Sequence, residues 1–144
     1  MKGQRVAAHL IGKPKGNQIE WEFTPMNTFK DPELILKDNS LVIPQKGLYF
    51  VYTQVVYTGK DCKTMKSTEL THTVMREGDY GEPTPLLTST KTACDAVSGN
   101  IWHQPIYQGG IFLLEEGDIL STETTKINLL NMNKGQVYFG VIAL

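Results

Sequence analysis

The sequence has no long apolar segment and no marked excess of charge of either sign. None of its hydrophobic runs approaches the roughly 18 to 20 residues that a membrane-spanning helix requires. Its 14 basic and 15 acidic side chains give a formal net charge of −1 over 144 residues. Nucleic acids and anionic membrane surfaces are therefore poor candidates for a main partner, because no positive field concentrates the protein on a polyanion. The length fits one domain.

Motifs of catalysis and of metal binding are also missing. The sequence contains no Gly-x-Ser-x-Gly elbow, no Gly-x-x-x-x-Gly-Lys-Ser/Thr loop and no His-Glu-x-x-His helix. Its three histidines, His9, His72 and His103, are scattered without closely spaced partners, so we expect no metal site. His72 alternates with threonines, which is typical of a hydrogen-bonded sheet residue. These absences favour a binding protein without a cofactor over an enzyme.

Alanine is scarce, whereas side chains that suit β-sheets are abundant. Five Ala stand against nine Val, ten Ile and fifteen Thr, and this balance predicts an all-β protein. Turn-forming residues recur at short intervals and divide the chain into ten predicted strands. These are residues 5–11, 18–22, 33–36, 40–43, 48–57, 69–75, 84–92, 106–114, 119–125 and 136–143. Their spacing is typical of a sandwich or a barrel.

Three of the predicted strands are apolar on both faces. In the fifth strand Val51 lies on one side, and Phe50 and Tyr52 lie on the other. The eighth and tenth strands repeat this pattern. Because no predicted helix covers the second face, we expect another copy of the chain to cover it, and hence a homo-oligomer. The alternatives are a barrel with one thick core and a set of strands that lines an apolar ligand pocket.

The cysteines and the N-terminus bear on the compartment in which the protein works. Cys62 and Cys94 both lie in polar, turn-like segments, and a bond between them would require an oxidising compartment. Two unpaired thiols are the alternative that the sequence leaves open. The first five residues lack the apolar stretch of a signal peptide, so we expect export to depend on residues absent from this sequence.

Several segments resemble the tumour necrosis factor family. LVIPQKGLYFVYTQ at residues 41–54 is similar to the signature segment of that family. AAHL at 7–10, Trp21, LTHT at 70–73, PIYQGG at 105–110 and GQVYFGVIAL at 135–144 are similar to further strands. The resemblance covers almost the whole chain. It implies a ten-strand antiparallel jelly-roll sandwich, a disulfide between Cys62 and Cys94, and a homotrimer released from a type II membrane precursor whose anchor is absent here.

The resemblance also assigns residues to a trimer interface. Members of the family pack around a threefold axis through one sheet, where aromatic side chains bury a large area while their hydroxyls still find partners. The positions that it implies at this interface are His9, Phe50, Tyr52, Gln54, Tyr107, Tyr138 and Leu144. On the opposite parity, Tyr49, Val51 and Val55 are expected to face the core of the sandwich.

Receptor binding in the family occurs in the grooves between neighbouring subunits. The positions that match its receptor loops are Glu22, Phe23, Thr24, Pro25, Met26, Asn27, Tyr80, Asn131 and Met132. Thr24 and Pro25 replace a basic pair of the mammalian members, and Asn131 replaces an aspartate. The binding mode is expected to persist, whereas the identity of the receptor does not follow from the sequence.

The function implied by the resemblance is that of a secreted homotrimeric cytokine. It would be extracellular after shedding, would cluster cysteine-rich tumour necrosis factor receptor ectodomains, and would trigger inflammatory and cell-death signalling. No catalysis, cofactor, metal or nucleic acid is implied, and the membrane is contacted only through the missing precursor anchor. The alternative is a jelly-roll recognition module that is not a cytokine, of a complement-globular-head-like or carbohydrate-binding type.

Overall fold

Twelve β-strands account for nearly all of the regular structure in the described residues. The computed structural model describes residues 6–23, 29–60, 62, 68–79, 81–94, 97–98, 101–133 and 135–144. The strands are β1 (Ala7–Lys15), β2 (Gln18–Glu22), β3 (Phe29–Lys30), β4 (Ile35–Lys37), β5 (Ser40–Val42), β6 (Gly47–Gly59), β7 (Glu69–Glu77), β8 (Thr84–Thr92), β9 (Val97–Ser98), β10 (Ile101–Leu114), β11 (Ile119–Thr124) and β12 (Tyr138–Ala143). A 3-10 helix covers Ile127–Leu129. Within these residues no helix is long and apolar enough to cross a membrane.

The strands form two antiparallel sheets. Sheet A has the order β2-β1-β12-β6-β10-β9, and β3 also pairs with β1. Sheet B has the order β4-β5-β11-β7-β8. Five longer strands therefore make up each sheet, and the short strands β3 and β9 extend sheet A. The prediction of an all-β antiparallel sandwich is confirmed.

All ten predicted strands are present, but several boundaries differ from the prediction. The eighth predicted strand begins at Ile101 rather than at residue 106. Pro105 is tolerated because, among the described residues, β10 pairs at this point with β6 alone, and an edge position needs no N–H donor. The third begins at Ile35 rather than at residue 33, since the Glu33 N–H donates to the Asp31 carboxylate at 2.9 Å in a turn.

Other strand boundaries also shift, and most do so by one or two residues. β1 continues past residue 11 to Lys15 because a hairpin with β2 provides pairing partners as far as Gln18. The last strand begins at Tyr138 rather than at residue 136. The first residue of the first predicted strand, Arg5, lies outside the described residues.

The core lies between the two sheets and is filled from both. Tyr49, Val51 and Val55 of β6 are at most 1% exposed, as predicted. Trp21 of β2 packs against Phe139 of β12 with ring centroids 5.4 Å apart. Each such side chain contributes about 1.5–3 kcal/mol when it is fully buried. This core accounts for one of the two apolar faces found in the sequence.

A buried histidine joins the two sheets. His72 of β7 has no exposed surface, and Thr53 of β6 lies 2.7 Å from its Nε2. The Thr53 hydroxyl donates to the carbonyl oxygen of Tyr138 at 2.9 Å, so it accepts from the Nε2–H of His72. Thr124 then donates to Nδ1 at 2.8 Å. The ring is thus neutral, and the prediction of a hydrogen-bonded sheet histidine is confirmed.

A disulfide joins Cys62 to Cys94, which are 32 positions apart in sequence and have Cα atoms 5.7 Å apart. In the chain-entropy treatment a loop of this length stabilises the folded state by about 3.5 kcal/mol. The implied pairing is confirmed, and the alternative of two unpaired thiols is excluded.

The buried histidine should make stability depend on pH. Burial lowers the pKa of His72 from 6.5 to about 4. Between these two pH values the unfolded chain binds a proton that the folded chain does not, so acidification across this window should destabilise the protein by up to about 3 kcal/mol. We expect His72→Gln to flatten this dependence in urea unfolding at fixed protein concentration.

His9→Gln is the matched control, because burial also lowers the pKa of His9 while His72 remains in place. This variant should retain most of the acid destabilisation. Equal pH slopes for the unmodified protein and His72→Gln would contradict the assignment.

Candidate functional site

The face of sheet A that points away from sheet B carries a continuous apolar surface, called the aromatic face below. Strands β1, β12, β6 and β10 form it side by side. Its members are His9, Leu48, Phe50, Tyr52, Gln54, Tyr107, Gly109, Ile111, Leu113, Tyr138, Gly140 and Ile142. Leu144 adjoins it, since its N–H donates to the carbonyl oxygen of Leu48 at 2.9 Å.

Strand alternation explains why these side chains share one face. In β6 the residues at odd positions from Tyr49 to Tyr57 are buried, so those at even positions point outward. The register places residues of β10, β6 and β12 in rows across the sheet. The three rows are Tyr107, Gln54 and Tyr138; Gly109, Tyr52 and Gly140; and Ile111, Phe50 and Ile142.

Much of this surface is exposed to solvent in the single chain. Leu48, Tyr107, Ile111, Leu113 and Leu144 are each between 51% and 60% exposed. They lie next to one another on adjacent strands rather than singly. Contiguous apolar surface of this kind marks an interaction site in soluble proteins.

An aromatic cluster occupies the centre of the face. His9 Nδ1 and the Tyr52 hydroxyl are joined by a hydrogen bond of 2.7 Å. The His9 ring lies 5.2 Å from the Tyr138 ring, and the Phe50 ring lies 5.6 Å from the Tyr52 ring. The Tyr138 hydroxyl donates to Gln54 Oε1 at 3.4 Å. These contacts hold the rings in a fixed arrangement within the single chain.

Burial within the cluster changes the proton affinity of its members. Burial, together with the neighbouring Tyr138 and Tyr107 hydroxyls, raises the pKa of Tyr52 to about 12. Burial likewise raises the pKa of Tyr138 and lowers that of His9. Tyr52, Tyr138 and His9 are therefore uncharged at neutral pH, as is typical of side chains at the centre of a protein interface.

Two glycines let the rings lie flat on the sheet. A Cβ at Gly109 would stand 2.9 Å from Cζ of Phe50. A Cβ at Gly140 would overlap the ring and the hydroxyl of Tyr52. Both positions require glycine for close approach of a neighbouring side chain rather than for backbone conformation.

The comparisons with known proteins agree with this architecture. The family model of the TNF (Tumour Necrosis Factor) family matches residues 19–144. The chain belongs to the tumour necrosis factor family. Its sandwich is accordingly a jelly roll of the tumour necrosis factor type.

Individual relatives cover nearly the whole chain. Tumor necrosis factor of Notamacropus eugenii is 39% identical over 151 aligned positions, which cover 99% of this chain and 64% of that protein. Tumor necrosis factor of Tursiops truncatus is 41% identical over 145 positions, 95% of this chain and 62% of that protein. Lymphotoxin-alpha of Notamacropus eugenii is 39% identical over 142 positions, 96% of this chain and 70% of that protein. The chain thus spans about two thirds of the length of these relatives.

The structure brings together the residues that the family resemblance assigned to a trimer interface. Six of them lie within the aromatic face and Leu144 adjoins it. Ile111 and Leu113 were missed, although they are among the most exposed apolar residues. Alternation from Tyr107 along β10 is the signal that could have found them.

The residues assigned to receptor binding are only partly described. Thr24, Pro25, Met26, Asn27 and Tyr80 lie outside the described residues. Phe23, which directly follows β2, is 38% exposed. The Glu22 carboxylate is held by Lys13 at 2.9 Å.

The other two described receptor residues lie beside the 3-10 helix. Asn131 accepts from the Asn133 N–H at 3.1 Å through its side chain, and Met132 packs partly against the core. Met132 lines a groove with the β1–β2 turn that includes neither Glu22 nor Phe23. In the described part of the chain, no three His, Cys, Asp or Glu side chains are placed to hold a metal ion.

The glycine positions give a direct test of the aromatic face. We expect Gly140→Ala to displace the Tyr52 ring and to break its hydrogen bond to His9. The cost should be about 1–3 kcal/mol, as for other overpacked sites, and urea unfolding measures it.

The matched control is Gly47→Ala in the same sheet, because a Cβ there would have its nearest contact at 3.9 Å. This variant should unfold like the unmodified protein. A Gly140→Ala protein with unchanged stability would show that the Tyr52 ring is free to lie elsewhere.

Proposed function

We propose that this protein is a homotrimeric cytokine that binds and clusters cysteine-rich tumour necrosis factor receptors, and so triggers inflammatory and cell-death signalling. The aromatic face is the observation that carries the proposal. It is a broad, uncharged and preorganised surface on one sheet of a chain that belongs to the tumour necrosis factor family. Relatives named tumor necrosis factor and lymphotoxin-alpha match nearly all of the chain.

A copy of the chain is the best candidate to cover the aromatic face. Leucine, isoleucine and tyrosine side chains that are about half exposed lose unfavourable contact with water when another apolar surface covers them. Hydroxyl and amide groups at Tyr52, Gln54 and Tyr138 lie among them and can pair across the contact. A threefold rotation axis beside this face would bring three equivalent surfaces together. The aromatic face of each copy would then be covered in the same way.

Receptor clustering follows from threefold geometry. Each boundary between two copies would form one groove, so that a trimer offers three equivalent receptor sites. Three receptor chains held by one trimer are brought to a high local concentration without any new contact between them. The mechanism is therefore geometric, and catalysis has no part in it.

We further propose that the protein acts outside the cell, after release from a type II membrane precursor. The Cys62–Cys94 disulfide supports an oxidising compartment. The greater length of the relatives is compatible with a membrane anchor in a longer precursor. This anchor would be the protein's only contact with a membrane, and the net charge of −1 gives no reason to expect a nucleic acid partner.

Replacement of one tyrosine should separate the copies. We expect Tyr107→Asp to convert the trimer to single chains, because three carboxylates would meet in a dry contact. Sedimentation velocity at micromolar concentration measures the mass.

The matched control is Ile35→Asp on sheet B, since Ile35 is 53% exposed and Tyr107 is 54% exposed. It should sediment as the unmodified protein does. A Tyr107→Asp protein that keeps the mass of three chains would remove the aromatic face from the interface.

Receptor binding should depend on side chains outside that face. We expect Phe23→Ala and Tyr80→Ala each to weaken binding at least about tenfold while the assembled mass stays constant, because aromatic residues dominate interface energetics. Binding would be measured by surface plasmon resonance against a panel of soluble tumour necrosis factor receptor ectodomains. Ile35→Ala serves as the control variant. Unchanged affinity in both aromatic variants would place the receptor site elsewhere, and no binding to any receptor would refute the proposed function.

A further inference from the structure

A threonine between two prolines lies on an exposed part of sheet B. Pro83 precedes Thr84, the first residue of β8, and Pro85 follows it. Residues 81–85 are all exposed. Further along, β8 continues with Thr88, Ser89, Thr90 and Thr92. Segments rich in serine and threonine and containing proline are the usual acceptors of O-linked sugars in exported proteins.

The hydroxyl of Thr84 differs from other threonine hydroxyls of sheet B. Thr71 and Thr90 are joined by a hydrogen bond of 2.8 Å, and Thr73 and Thr88 by one of 2.7 Å. Thr124 bonds His72. No hydrogen bond within the described residues uses the Thr84 hydroxyl. It is therefore exposed and free to react, whereas Thr88 and Thr90 have partners.

The backbone at Thr84 also suits an incoming enzyme. A residue that precedes proline is held in an extended conformation, so Pro85 favours the shape in which a peptide binds in a transferase groove. β8 is the edge strand of sheet B, with β7 on one side and no strand beyond it in the described residues. An edge strand is open to a second protein.

We propose that Thr84 is an acceptor of O-linked glycosylation. In this reaction Oγ of Thr84 forms a bond to the anomeric carbon of a nucleotide-activated N-acetylhexosamine. The bond from that carbon to the phosphate oxygen breaks, the nucleoside diphosphate leaves, and the hydroxyl proton passes through the transferase to solvent. A host glycosyltransferase supplies the catalysis. The proposal rests on the proposed extracellular destination, because these transferases act on exported proteins.

The location of Thr84 is compatible with assembly. The residue belongs to sheet B, whereas the aromatic face belongs to sheet A. A sugar at Thr84 would stand among polar side chains, since the groove that Thr84 lines also contains Arg76, Asp79 and Glu82. The sugar would add a hydrated group to a surface that is already polar. It would not block the aromatic face, through which the copies are proposed to meet.

The test is to secrete the full chain from animal cells behind an added signal peptide and to map its modifications. Intact-mass spectrometry should show a species heavier by an N-acetylhexosamine-based sugar, and electron-transfer fragmentation should place it on Thr84. Thr84→Ala should abolish the added mass, Thr84→Ser should retain it, and Pro85→Ala should reduce the modified fraction severalfold. Thr88→Ala, which removes a hydrogen-bonded hydroxyl from the same strand, should leave it unchanged.

Two outcomes would overturn the proposal. One is a secreted chain with an unmodified Thr84, and the other is an added mass that survives Thr84→Ala. Neither outcome bears on the proposed cytokine function, because receptor binding and assembled mass are measured separately on protein made in bacteria, which carries no such sugar.

Discussion

The structure depends on three neighbouring strands, β6, β10 and β12, that are hydrophobic on both sides. Their inward side chains pack against sheet B and form the core of the sandwich. Their outward side chains form the aromatic face, on which Tyr107, Ile111 and Leu113 are each more than half exposed. One constraint, strand alternation, thus determines both the stability of the protomer and the position of its interaction surface.

Other features of the structure also distinguish the outward, aromatic face of sheet A from its inward face, which forms part of the core. Gly109 and Gly140 let the Phe50 and Tyr52 rings lie flat, so that the outward surface is preorganised. On the inward side, His72 contacts Thr53 across the two sheets, and Trp21 donates to Thr122 of the opposite sheet at 3.0 Å. Because hydrogen bonds are directional, these contacts define the position of one sheet relative to the other more precisely than apolar packing alone does.

Much of this could be predicted from the sequence, because alternation is a local signal. The parity of Val51 and Phe50 predicted both the core and the exposed face. The turn implied between the predicted strands at 33–36 and 40–43 is confirmed by Asp38 and Asn39, whose φ angles are 51° and 62°. Strands β3 and β9 were missed because two residues show no period. The start of β10 was misplaced because tolerance of Pro105 depends on which strand lies beside it. Which strands lie side by side is a property of the whole fold and cannot be inferred from a short stretch of sequence.

Part of the aromatic face was also predictable from the sequence. Family resemblance found His9, Tyr52 and Tyr138, whereas the roles of Gly109 and Gly140 became visible only when the rings of the adjacent strand were placed. The tautomer of His72 likewise could be assigned only once the acceptor of the Thr53 hydroxyl was known, and this acceptor is the carbonyl oxygen of Tyr138, far away in sequence.

The most direct test of the central claim is the mass of the unmodified protein in solution. Sedimentation velocity from nanomolar to micromolar concentration should show one species with three times the 16.1 kDa mass of the chain. A stable single chain at micromolar concentration, with Tyr107 and Ile111 open to water, would contradict the account.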